Sequence, residues 1–73
     1  MDFYKFITIG CDENRDYTIS TIKPTYSNVY ETAIMLTELG DWNIVEKYND
    51  KEDAIKGHNK YCNMTSEELD NII

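Results

Sequence analysis

Apolar and polar residues alternate along most of this chain, and only beyond residue 49 does the period lengthen to that of a helix. Met1 to Ile9 reads MDFYKFITI. Its aromatic and β-branched residues predict a strand with Tyr4, Phe6 and Thr8 on one side and Phe3, Lys5, Ile7 and Ile9 on the other. Gly10 to Asp16 (GCDENRD) predicts a polar loop, because Asp12, Glu13 and Asn14 compete with regular backbone pairing. Tyr17 to Lys23 alternates again, Tyr17, Ile19 and Thr21 against Thr18, Ser20 and Ile22, and predicts a second strand antiparallel to the first. Pro24 holds Lys23 extended, and PTYSN turns the chain.

Ser27 to Leu39 has two readings. A helix would be capped by Ser27, carry Val29, Ala33 and Leu36 on one face and end at Gly40. A strand would run from Asn28 to Leu36 into a turn at Leu39-Gly40-Asp41. The strand is favoured because Trp42 to Tyr48 (WNIVEKY) is plainly a strand and needs a neighbour. A helix over Asn49–Asn63 follows, with Asn49 as cap and Glu52 at the reciprocal position of a capping box. Asp50, Glu52 and Asp53 suit the positive end of its dipole, and Glu52 precedes Lys56 at the favourable i,i+4 spacing. Ala54, Ile55, His58, Tyr61 and Cys62 form the inward stripe. Gly57 costs about 1 kcal/mol against alanine in a helix, which predicts a close approach to the sheet beneath Trp42 or Tyr48. His58 beside it is expected to be a packed histidine bonded to the sheet. Thr65 and Glu68 form a second capping box opening a short final helix, with Leu69, Ile72 and Ile73 on its apolar side. Two closing isoleucines predict that this end docks on the domain or on a second copy. The elements give one domain over residues 1–73. It is α+β: an antiparallel sheet of about four strands, one main helix packed on a face and a short C-terminal helix.

The segment from Tyr30 to Tyr61 resembles a recurrent type of small phage-encoded protein. In that type a Tyr-Glu-Thr strand is followed by a hairpin turn, a strand ending in Tyr and a helix carrying Glu-x-Ala-x-x-Gly-His. The matching residues are Tyr30-Glu31-Thr32, Tyr48 and Glu52 to His58. The first 28 residues have no counterpart. The resemblance implies a phage origin, supports the strand over Val29 to Leu36 and gives Gly57 and His58 a packing role. It carries over no catalytic residue.

Charge changes the picture more than composition does. Fourteen acidic residues face seven basic ones, for a net charge of −7. Such a chain repels nucleic acid and is steered toward basic proteins. Phage chains of this size and acidity commonly occupy a host protein, and DNA mimicry is one such strategy. Carboxylates at i and i+2 on a strand stand roughly 6.6 Å apart, comparable with successive phosphates of one DNA strand. The expected function is therefore a non-enzymatic inhibitor of a basic host DNA-binding protein, for which a nucleoid-associated protein would be apt. The candidate contacts are Asp12, Glu13 and Asp16, then Glu38 and Asp41, then Asp50, Glu52 and Asp53. The competing explanation makes them solvated turns and helix caps. The alternative function is a phage adaptor or anti-defence protein that binds through aromatic residues and a sheet edge.

Catalysis would need His58 with Cys11 or Cys62 as base and nucleophile, and no phosphate loop or nucleophile elbow accompanies them. A zinc site from Cys11, His58, Cys62 and an acid has only the four-residue gap between His58 and Cys62 as local support, so no metal or cofactor is expected. The cysteines are expected to be free thiols. With no basic, apolar leader and no membrane-length apolar run, the expected location is the cytoplasm, of the host if phage-encoded.

Overall fold

The computed structural model describes residues 5–73. Four strands, β1 (Phe6–Asn14), β2 (Tyr17–Pro24), β3 (Tyr30–Leu36) and β4 (Trp42–Tyr48), form one antiparallel sheet in the order β1-β2-β3-β4. Two helices, α1 (Lys51–Cys62) and α2 (Ser66–Ile72), follow and lie against one face. The α+β expectation is met, Ser27–Leu39 contributes a strand, and the strand expected at Trp42–Tyr48 has those bounds. Phe3 and Tyr4, assigned to faces of the first strand, lie outside the described residues.

Directly paired residues in an antiparallel sheet share a face, so the register sorts the side chains. On the helix face Ile19 opposes Ile34 and Thr21 opposes Thr32, and all four are fully buried. On the other face Cys11 opposes Ser20, Ile22 opposes Glu31, Ala33 opposes Ile44, and Met35 opposes Trp42. No described helix covers that second face. The apolar core is Tyr17, Ile19, Ile34, Tyr61 and Leu69, with Leu36, Val45, Cys62 and Met64 at its margin.

Three expectations are corrected. Gly10–Asp16 is not a loop: β1 continues to Asn14, and the turn is only Arg15 and Asp16, with Arg15 at φ 55°. Turn-forming residues are held in the strand because those on the helix face meet α1 or the segment after it. Gly10 lies under the His58 ring, Asp12 bonds His58, and Asn14 donates to the Cys62 and Met64 carbonyls. The α1 cap is Asp50, not Asn49; its carboxylate accepts the Asp53 N–H at 2.8 Å. This one-residue shift moves Glu52 out of the reciprocal position. The inward stripe is Ala54, Gly57, His58 and Tyr61 at i, i+3, i+4 and i+7, whereas Ile55 falls on the flank and is 40% exposed.

α2 forms with the predicted capping box, Thr65 with Glu68. It docks through Leu69, which is fully buried; Ile72 and Ile73 remain largely exposed. Both cysteines are free, as expected. Among the described residues, no helix is long and apolar enough to cross a membrane.

Gly57 lies against Tyr48, as its place in the helix predicts. A Cβ there would overlap the Tyr48 hydroxyl and ring. The ring has little room to retreat, because it is buried and its hydroxyl bonds Thr32 at 3.0 Å. Helix propensity alone predicts that Gly57→Ala stabilises by about 1 kcal/mol. Overpacking costs roughly 1–3 kcal/mol, so the expected result is net destabilisation, larger for Gly57→Leu. Urea unfolding checks this, and an alanine variant more stable than wild type would refute the close-contact explanation.

Candidate functional site

Up-and-down topology places alternate connections at opposite ends of the sheet. The β1–β2 turn and the β3–β4 connection share one end, and the contacts across them confirm it. The Thr37 N–H donates to the Asp16 carbonyl at 2.8 Å, and the Thr18 and Thr37 hydroxyls are 2.9 Å apart. Asp16, Glu38 and Asp41 are therefore brought together, with Glu13 nearby on the bare face opposite Thr18. α2 is tied to the same end by the Tyr17 hydroxyl, which bonds Asp70 and so has its pKa raised. Glu67, Glu68 and Asp70 thus join the group, and all these carboxylate residues are exposed. Arg15 is the one basic residue in this group.

The other candidate acids are elsewhere. α1 begins beyond Tyr48, so Asp50, Glu52 and Asp53 lie at the opposite end of the sheet. They share that end with Glu31 and with Lys5, Lys23, Lys47 and Lys51, so their charge is largely offset. Asp12 sits on the helix face and is engaged by His58. The net negative charge is consequently concentrated at one end. Sequence reading missed the α2 acids because a capping box locates a helix in the chain, not its position against a sheet.

Beneath α1 lies a network that composition could not show. His58 is buried at 5% exposure, with Nδ1 2.7 Å from Thr21 Oγ1 and Nε2 2.7 Å from Asp12 Oδ2. Thr21 Oγ1 is 2.6 Å from Thr32 Oγ1, which is 3.0 Å from Tyr48 Oη. Gly10 makes the depth possible, since a Cβ there would strike the imidazole. The hydrogen bond shared with His58 lowers the Asp12 pKa. Cys62 Sγ approaches the same Asp12 oxygen at 3.7 Å. Burial, reinforced by the Asp12 charge, pushes the Cys62 thiol up to about 11. Cys11 faces the other side of the sheet, so it cannot join this cluster.

Glu46 anchors the other flank of α1. Its Oε1 accepts from Lys60 Nζ at 2.8 Å and Tyr61 Oη at 2.9 Å. The Lys60 bond leads in lowering its pKa, while burial first and this carboxylate second push Tyr61 up to about 12. The bare face carries a shallow trough of about 290 Å³ lined by Phe6, Ile22, Trp42 and Ile44 among others. Phe6, Trp42 and Ile44 are 55%, 48% and 57% exposed.

Asp12 and Glu46 both have depressed folded-state pKa values, so each contributes stability above its unfolded value, 3.8 and 4.5 respectively, and loses it as pH falls through the folded value. The urea midpoint is expected to fall between about pH 5 and about pH 3, with a shallower fall in Glu46→Gln; an unchanged slope in that variant would remove Glu46 from the account. Compared with protein-family models, curated proteins and solved structures, the chain matches none of them.

Proposed function

We propose that this chain is a non-enzymatic, phage-type inhibitor that occupies the DNA-contacting surface of a basic host protein, with carboxylates standing in for phosphates. The observation that carries the reading is the gathering of Asp16, Glu38 and Asp41 with Glu13 and the α2 acids at one sheet end, opposed locally by Arg15 alone. The two connections there are cross-linked by hydrogen bonds, so the carboxylates project from a braced support. Displacing DNA means reproducing multiple phosphate contacts, which a one-ended array of carboxylates does. A nucleoid-associated protein, whose working surface is positive, is the apt partner, and the host cytoplasm is the place of action. The net charge of −7 opposes direct binding to nucleic acid. The Cys62 thiol, pushed away from thiolate, is the reverse of an activated nucleophile, which favours a binding role over catalysis.

A second reading rests on the bare sheet face. Its exposed Phe6, Trp42 and Ile44 line an apolar trough of the kind that marks interaction sites. On that reading the chain is a phage adaptor or anti-defence protein that binds by shape, and its charge is incidental.

Displacement of labelled duplex DNA from a purified basic nucleoid protein tests the first reading. Wild type is expected to compete at low salt and progressively less as salt rises. Asp16→Lys with Glu38→Lys should slow association by roughly tenfold. Glu52→Lys with Asp53→Lys, at the opposite end and leaving the Asp50 cap intact, should change it little. Full competition by the folded Asp16/Glu38 variant would exclude these carboxylates as phosphate substitutes. Salt-independent binding lost in Trp42→Ala would favour the second reading.

A further inference from the structure

We propose that Asp12, His58 and Cys62 form a zinc-binding site that clips the edge strand β1 to the end of α1. His58 and Cys62 are four residues apart on one helix, the spacing that places two ligands over the same point. β1 supplies the third donor from across the sheet–helix boundary. The carboxylate of Asp12, Nε2 of His58 and Sγ of Cys62 all lie within 4.8 Å of one another.

The distances reach a tetrahedral arrangement by side-chain adjustment at the exposed edge, the His58–Cys62 pair, within 4.8 Å, closing by up to about 1 Å. Zinc bonds of about 2.0–2.3 Å place neighbouring ligand atoms roughly 3.3–3.7 Å apart. The Asp12–Cys62 pair already stands at 3.7 Å, while the Asp12–His58 pair, at 2.7 Å, must open by about half an ångström. The Asp12 side chain is 61% exposed and on an edge strand, so it has room to make that movement. Its exposure also leaves the fourth position to water. One nitrogen, one sulfur and one oxygen are a donor set that zinc accepts and that calcium or magnesium does not favour.

The surrounding hydrogen bonds prepare the imidazole for this role. A ligating histidine donates its other ring N–H to a fixed acceptor, which sets the tautomer. Thr21 Oγ1 stands at Nδ1 in that position. When Nδ1–H donates to Thr21, the Thr21 and Thr32 hydroxyls can donate onward along the chain to Tyr48, whose own hydroxyl donates to Glu46 at 3.4 Å. Every hydroxyl proton in the relay then has an acceptor, and Nε2 presents a lone pair toward Asp12 and Cys62. Without an ion, two acceptors would face each other there unless a proton lay between them. Zinc takes the place of that proton, and the Cys62 S–H gives up its own proton to solvent as the Zn–S bond forms.

Thr21 is thus a positioning residue and the other three are ligands. Cobalt(II) is the probe, because a bound thiolate gives a near-ultraviolet charge-transfer band and a tetrahedral site gives intense visible bands. The full chain, reduced and metal-free, is expected to take up one cobalt with both signatures and to exchange it for zinc. Cys62→Ser should lose the charge-transfer band, and Asp12→Asn should weaken binding at least tenfold. Cys11→Ser should change neither. Thr21→Val should weaken binding by roughly 10–100-fold, the cost typical of losing such a support, while Thr21→Ser restores it. Zinc should raise the thermal midpoint of wild type but not of Cys62→Ser. Absence of the charge-transfer band in wild type at excess cobalt, or its persistence in folded Cys62→Ser, would overturn the proposal.

Discussion

The structure depends on one buried polar contact, the seating of His58 between the sheet and α1. A buried imidazole is costly unless both nitrogens are bonded, and here Thr21 and Asp12 supply the two partners. Thr21 would itself be an unsatisfied hydroxyl without Thr32 and His58 around it, and Thr32 is in turn bonded to Tyr48. The five side chains come from β1, β2, β3, β4 and α1, so the arrangement closes only when sheet register and helix position are both correct. Gly10 and Gly57 permit it from two sides. One lets the imidazole descend to β1, and the other lets the helix backbone pass over Tyr48. A half-satisfied network would be worse than an apolar core, so a shifted register or helix position would leave buried polar groups unpaired at this end of the interior.

The other end of the interior is apolar, with Ile19 and Ile34 facing Tyr61 and Leu69. So thin a domain, 16 Å in its smallest dimension, has room for only one layer of such residues. α2 matters for that reason. Leu69 completes the apolar layer that α1, turning away after Cys62, leaves unfinished. The Tyr17–Asp70 bond holds the short helix in place, so the residues that finish the core also bring three carboxylates to the acidic end.

Much of this was legible in the chain, for identifiable reasons. Trp42 to Tyr48 and Tyr17 to Lys23 declare themselves because both are short runs rich in β-branched and aromatic residues. The Thr65–Glu68 box is a local motif and forms where the local rule puts it. Gly57 was interpretable because a glycine in a capped amphipathic helix needs a steric reason, and Tyr48 is that reason. Failures occurred where tertiary contacts decided the outcome. Gly10 to Asn14 has the composition of a loop, yet α1 and its following segment supply partners for its inward residues. Asn49 and Asp50 are both good caps, and only the chain's exit from β4 chooses between them. The candidate acids were found as residue types, but their division between two ends follows from strand order, which alternation does not encode.

The acidic end and the bare apolar face also meet. Asp41 is followed directly by Trp42, the first residue of β4, whose ring lies on the bare face at the margin of the carboxylate group. Protein interfaces are commonly built as an aromatic anchor inside a charged rim, the anchor supplying affinity and the rim supplying rate and orientation. Trp42 with Asp41 and Glu38 has that composition within one strand and its preceding turn. A partner approaching this margin would therefore be steered by charge first and held by apolar contact afterwards. Association should then be sensitive to salt and dissociation to the Trp42 ring, because screening weakens the long-range field and leaves short-range packing intact. The two functional readings consequently differ in which half of the same encounter dominates, and separate measurement of the two rate constants resolves them where an equilibrium affinity would merge them.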